Sequence, residues 1–226
     1  MTSAPSNQPM WQIEAAEYRR HEARRGRRHA FEPLPAKRSA LVVVDMISFF
    51  VEESTAARAT VEPISRLAAS MRSAGAAVAW IVPAVTKPNE RDIEFYGRDV
   101  ATTYALSGGE GPVEQRLWPG LGFSPRDLFF EKAAPSALFP GRCGLEAELT
   151  RRGIDTLVIA GTVANVCVES TVRDAFTLGY RPIVVADGVA APSIEILNAT
   201  LRTVYRSFGD VRSSDELIAL FDTGPK

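Results

Sequence analysis

Residues 40–45 read Ala40-Leu41-Val42-Val43-Val44-Asp45. A continuous β-branched run, with no polar residue on either alternate face, is the mark of a strand buried on both sides. Such strands belong to parallel sheets covered by helices. The run ends on a carboxylate, at the end of the strand where ligands bind in open α/β sheets. Downstream, Thr156-Leu157-Val158-Ile159-Ala160-Gly161 repeats the pattern, and Pro182-Ile183-Val184-Val185 repeats it again before Asp187. Between and after these runs lie segments of helical spacing. Ala56–Ser73 carries Ile64, Leu67, Ala68 and Met71 on one face. Leu145–Arg152 is closed by Gly153, Val166–Leu178 is closed by Gly179, and Ile194–Ser207 follows the last buried run. Further strands are predicted at Val78–Val82, Leu128–Glu131 and Asp210–Arg212. A last helix is predicted at Asp215–Phe221, where Ser213 and Glu216 have capping-box spacing. Alternating strands and helices imply βαβ units and an α/β fold with a mostly parallel sheet.

Residues 84–127 break this regularity, with only a short helix near Glu90–Leu106. So long an irregular stretch in a compact domain is usually functional. The other irregular region is N-terminal. Residues 1–9 read as a frayed terminus, Trp11–Arg28 as a helix, and Pro33 and Pro35 as a linker. We therefore divide the chain into an arm, 1–38, and one domain, 39–226.

The 226 residues are 46% hydrophobic and 23% charged, enough for a full core. The net charge of −1 conceals a split: residues 1–38 hold eight basic and four acidic residues, and the remainder is acidic. A basic arm on an acidic body is one signature of nucleic-acid binding, but the arm has no aromatic platform for single strands. A solvated helix face docked on an acidic body or partner subunit is the better reading. Trp11, Ile13 and Tyr18 are apolar anchors with little core of their own, and predict that the arm contacts a second copy. No apolar run spans a bilayer and no secretory h-region follows the N-terminal charges, so a soluble, cytoplasmic protein with reduced thiols is expected. No cofactor and no metal is expected either. The only histidines, His21 and His29, lie in the arm, which removes the usual Ser-His-Asp, Cys-His and His-rich metal sites from the body of the chain.

Three reactive residues fall at predicted strand ends: Asp45, Lys132 and Cys167. Singly, each has an ordinary role, as a turn former, a surface lysine or a small buried hydrophobe. Together they make coherent chemistry. A helix N-terminus and an ammonium favour a thiolate, and a carboxylate can move the proton that histidine moves in other cysteine enzymes.

At these residues the chain resembles the isochorismatase-like cysteine hydrolases. The resemblance is carried by Leu41–Met46 (LVVVDM), Phe130–Pro140 (FEKAAPSALFP), Gly161–Val168 (GTVANVCV) and Val184–Asp187 (VVAD), within residues 38–221. It implies a three-layer α/β/α fold with a six-stranded, mainly parallel sheet. It implies a catalytic triad of Cys167, Asp45 and Lys132, and a cis peptide at Thr162–Val163 that aims the Val163 and Cys167 amides at an oxyanion. It implies hydrolysis of a small amide, ureido or carbamoyl compound through a thioester, and a homo-oligomer, dimer or tetramer. Two alternatives stand beside this. One is enol-ether hydrolysis to pyruvate with Asp45 as general acid, although enzymes of that kind usually lack the cysteine. The other is a non-catalytic binding protein on the same fold. The chain departs from the family after the first strand, where Ile47-Ser48-Phe49-Phe50 replaces a polar shell. It departs again after the second, where Val82–Lys87 has no metal-binding histidine. Phe50, Trp80, Tyr104 and Ala164 are candidate substrate contacts, with Trp118, Arg91, Arg98 and Asn165 as weaker ones. Cys143 is expected to be structural.

Overall fold

A computed structural model describes residues 11–223; the segment read as a frayed terminus lies outside them. The elements are, in chain order, α1 (Ala15–Arg25), β1 (Ser39–Val44), α2 (Ser48–Val51), α3 (Thr55–Ala59), α4 (Val61–Ser73), β2 (Ala77–Pro83), α5 (Glu90–Tyr96), α6 (Arg98–Leu106), α7 (Val113–Arg116), β3 (Leu128–Lys132), α8 (Leu145–Arg151), β4 (Thr156–Thr162), α9 (Glu169–Thr177), β5 (Arg181–Ala190), α10 (Ile194–Ser207), β6 (Asp210–Arg212) and α11 (Ser214–Thr223). The six strands form one sheet in the order β3-β2-β1-β4-β5-β6, and every pairing is parallel. This is the three-layer arrangement expected.

The continuous apolar runs divide between two cores by alternation. Val42, Val44, Ile81, Leu157 and Ile159 pack in the layer with α8, α9 and α10, whereas Leu41, Val43, Trp80, Val82 and Val158 pack in the layer with α4 and α11. That split is the period-2 geometry of a strand with helices on both faces. The predicted capping box is formed: the Ser213 amide donates to Glu216 Oε2 at 2.8 Å, and Ser213 Oγ accepts from the Glu216 amide at 3.2 Å.

Four local expectations are corrected. The helix read across Ala56–Ser73 is two, α3 and α4, meeting at Thr60. The helix read near Glu90–Leu106 is also two, because Gly97 adopts φ +79°, a conformation costly for any side chain. The helix carrying Cys167 begins with a π-type turn, Ala164–Val168, before α9. The strand read as ending before Asp187 continues to Ala190, with a register shift against β4. Asp187 holds the start of α11, its carboxylate accepting from the Ser214 amide at 2.7 Å and hydroxyl at 2.6 Å.

The arm is corrected as well. Its helix is shorter than Trp11–Arg28, because Gly26 ends it in the left-handed conformation at φ +71°. Its apolar anchors have a core within this chain. Ile13 is buried in the chain's own core, and Trp11 and Tyr18 pack against the same cluster. Tyr18 and His21 meet the Tyr205 ring of α10 edge-on, with centroids 5.1 and 5.0 Å away. Buried Glu17 faces Arg202 and Arg206. His29 lies between Asp210 and Glu216, at the start of β6. Since all strands are parallel, that is the sheet edge opposite to the end of β1.

Candidate active site

Asp45 is the first residue beyond β1 and has φ +57°. Asp tolerates this left-handed conformation better than a β-branched residue does. The turn is pinned on both sides, by the Asp45 amide to Ile81 O at 2.8 Å and by the Ile47 amide to Asp45 O at 3.0 Å. Its side chain has no solvent exposure.

Lys132 ends β3, two strands away from β1, and neighbouring strands lie about 5 Å apart. Only a long side chain crosses that gap. Its Nζ lies 2.8 Å from Asp45 Oδ2, 3.2 Å from Ala134 O and 3.5 Å from Cys167 Sγ. Those three neighbours match the three N–H groups of an ammonium. Cys167 approaches from the β4 side on the π-type turn. Two strand ends and one turn thus bring together the three residues that the sequence separates by more than a hundred positions.

Burial and charge set the protonation of the trio. Burial raises the Asp45 carboxyl above its ordinary value further than the Lys132 charge lowers it. Burial pulls Lys132 down, but the Asp45 carboxylate, with a smaller contribution from Cys167, outweighs it and holds the ammonium charged. Burial, followed by the Asp45 charge, pushes the Cys167 thiol up to about 12. The thiolate expected from a helix N-terminus and an ammonium is therefore not the resting form: the thiol keeps its proton beside a carboxylate able to take it. Asp45 Oδ2 faces the ammonium at 2.8 Å, and Asp45 Oδ1 has no hydrogen-bond partner among the described residues. A buried oxygen so placed has free capacity for a proton.

The residues around the trio fall on both sides of expectation. The Thr162–Val163 peptide is cis. Ala164 is buried in the π-type turn, and Asn165 is exposed. Trp80 does not reach the site. It is wholly buried in the opposite layer, and its indole N–H donates to Asp127 Oδ2 at 2.8 Å, just before β3 begins. Trp118 is partly buried against that same layer, with its amide on Met46 O at 2.8 Å. Arg91 pairs with its neighbour Asp92 on exposed α5, and Arg98 is exposed. Phe50 and Tyr104 are joined through Phe49, at centroid distances of 4.8 and 6.2 Å. Cys143 is half-buried, and its thiol is also raised by burial.

One positioning residue escaped the sequence reading. Buried Thr171 donates to Cys167 O at 2.7 Å and accepts from the Ala137 amide at 3.0 Å. It ties the loop after Lys132 to the turn that carries Cys167. The available signal was its place four residues after the cysteine, where a helical threonine reaches back to the preceding turn.

The sequence matches the Isochorismatase domain family over residues 39–216. The chain belongs to the isochorismatase family. It is 31% identical to N-carbamoylsarcosine amidase of an Arthrobacter species over 132 residues, covering 58% of this chain and 48% of that one. The solved structure of N-carbamoylsarcosine amidase from Thermoplasma acidophilum is 31% identical with a TM-score of 0.64, over 79% of this chain and 97% of that one. A cysteine hydrolase from Pseudomonas syringae pv. phaseolicola shares the fold with a TM-score of 0.76 at 24% identity, over 86% and 97% of the two chains. The chain spans 58% and 48% of the length of two curated relatives it matches, and 97% of a third. Among the described residues, no helix is long and apolar enough to cross a membrane.

Proposed function

We propose that this isochorismatase-family protein is a cysteine-dependent amidohydrolase that cleaves a C–N bond in a small amide, ureido or carbamoyl compound. The observation that carries the reading is the buried Cys167 thiol beside Asp45 and Lys132. An enol-ether hydrolase acting through Asp45 alone has no use for that sulfur.

The reaction follows from the protonation states. The Cys167 sulfur attacks the carbonyl carbon while its proton passes to Asp45, so no free thiolate accumulates. The carbonyl π electrons move to oxygen, where the backbone N–H groups of Val163 and Cys167 are the proposed donors. Collapse breaks the C–N bond as Asp45 returns the proton to nitrogen, releasing ammonia or an amine and leaving a thioester. Water then attacks, giving its proton to Asp45, and the C–S bond breaks as that proton goes back to sulfur. Lys132 stays charged throughout. It stabilises Asp45 as an anion between transfers and opposes the cost of its burial. The net change is amide plus water to acid plus amine, with the protein restored.

Ammonia or amine release from a panel of small amides, measured for the native protein and for Cys167→Ala, tests this. Release that disappears in the variant supports the reading, and an unchanged rate removes it. Pyruvate released from isochorismate by both proteins would favour the enol-ether alternative.

A further inference from the structure

The short helix α2 begins three residues beyond Asp45. It is held there by the antiparallel bridge between Ile47 and Leu117 and by the Trp118 amide on Met46 O. On it, Phe49 is 44% exposed. Its ring meets Phe50 and, at 6.2 Å, Tyr104 of α6; Tyr104 in turn meets Tyr96 at 5.3 Å. The end of α6 sits over the same edge of the sheet. The Thr86 amide donates to Ala105 O at 2.8 Å, and the backbone of Gly108 lies so close to the Pro83 carbonyl that a side chain there would collide with it. Pro83 is the register partner of Lys132. Exposed apolar residues scattered singly need no explanation, but a connected row of rings on the catalytic edge does.

A second, independent observation concerns charge. Among the described residues, two cations at this edge have buried side chains, and both are ion-paired. Lys132 is held by Asp45, and Arg116 donates to Glu131 Oε1 at 2.7 Å and to the carbonyls of Gly108 and Gly109. N-carbamoylsarcosine carries a carboxylate next to its carbamoyl group. A substrate of that kind would find the charge of each cation already paired, leaving only the Arg116 Nε without a partner.

We propose that this site takes an uncharged amide bearing an aromatic or bulky apolar group, which lies against Phe49 and Tyr104 while its amide carbon faces Cys167. The inference rests on the amidohydrolase reading and names its substrate class. The rings offer edges and faces to a planar group, and covering them removes apolar surface from water. Specificity then comes from this rim, and the buried trio supplies only the chemistry.

The test uses full-length Cys167→Ala protein, so that nothing is consumed, and titration calorimetry with phenylacetamide, acetamide and succinamate. Phenylacetamide is expected to bind at least about tenfold more tightly than either of the others. Phe49→Ala and Tyr104→Ala in the same background should each weaken it by about fivefold or more while leaving acetamide unchanged. Both residues are exposed, and circular dichroism checks that the variants remain folded. Tighter binding of succinamate, undetectable binding of phenylacetamide, or indifference to both substitutions overturns the proposal. So does a change of elution volume in Phe49→Ala without loss of affinity, which assigns the rim to a contact between copies. Because the titration needs no nucleophile, its outcome is separate from that of the ammonia-release test. Selective phenylacetamide binding without hydrolysis by the native protein would refute the amidohydrolase reading and leave the rim in place.

Discussion

Replacing Lys132 with Met removes one charge from a pair that is almost wholly buried and keeps most of the side-chain volume. Asp45 has no exposure and Lys132 has 4%, with 2.8 Å between their charged atoms. At an effective dielectric of about 20, two unit charges at that separation attract by about 6 kcal/mol. Desolvation of both groups offsets part of this, and removal of one partner from a buried pair typically costs about 3–5 kcal/mol. The cost depends on pH, with a definite sign. Burial raises Asp45 in the folded protein, so the folded state holds the carboxyl proton more tightly than the unfolded chain does. For such a group, stability falls as pH rises from the unfolded value through the folded one. Without Lys132 only the hydrogen bond from Cys167 opposes burial, and the fall becomes deeper and extends to higher pH. Urea unfolding of the native protein and Lys132→Met, at pH 4.5 and pH 8, measures this. The difference should be small at the lower pH and reach about 3–5 kcal/mol at the higher, a midpoint shift of about 2 M for a slope near 2 kcal/mol per molar. The double variant Asp45→Asn, Lys132→Met should recover much of the loss. A pH-independent difference, or no recovery in the double variant, would refute the argument that the ammonium offsets a buried carboxylate.

Four further outcomes follow from named contacts. The acid limb of the kcat/KM profile should reflect Asp45 and lie above the ordinary carboxylate value of 3.8, and His21→Gln and His29→Gln should leave it in place. Thr171→Val leaves the Ala137 amide without its hydroxyl partner and removes the bond to Cys167 O, and should cost about 1–3 kcal/mol in thermal or urea unfolding. Gly161 has φ +112° and its backbone lies against Val44 of the neighbouring strand, so Gly161→Ala should lower Tm sharply or abolish soluble expression. Burial lowers His29, but its bonds to Asp210 and Glu216 prevail and hold it above 6.5. That contribution to arm docking is complete below the ordinary value and is lost as pH rises through the folded one, so proteolysis at the arm should quicken with pH and lose this dependence in His29→Gln.

The parallel sheet was legible because both of its faces are buried. The run Leu41–Val44 has no polar alternation, and only a strand covered by helices accommodates that. Asp45, Lys132 and Cys167 were legible because strand ends carry ligand chemistry, and the topology brings the three ends to one place. The sequence misled where a residue's direction mattered more than its position. Trp80 lies in a strand beside β1, but alternation sends its indole into the opposite layer, toward Asp127. The destination of Trp11, Ile13 and Tyr18 depended on a groove formed by α10, more than 170 residues away, which no local pattern reveals. Protonation was misjudged for a related reason: the pull of an ammonium on a thiol is visible in sequence, whereas burial and an adjacent carboxylate are not.

The central claim is that Cys167 becomes acylated and that Asp45 carries the proton. Intact-protein mass spectrometry after rapid acid quench, using an amide that the protein hydrolyses, tests it most directly. The account predicts a mass increase equal to the acyl group, located on the Cys167 peptide, absent in Cys167→Ala and strongly reduced in Asp45→Asn. Turnover of the same amide by Cys167→Ala at the native rate, with no adduct in either protein, would contradict it.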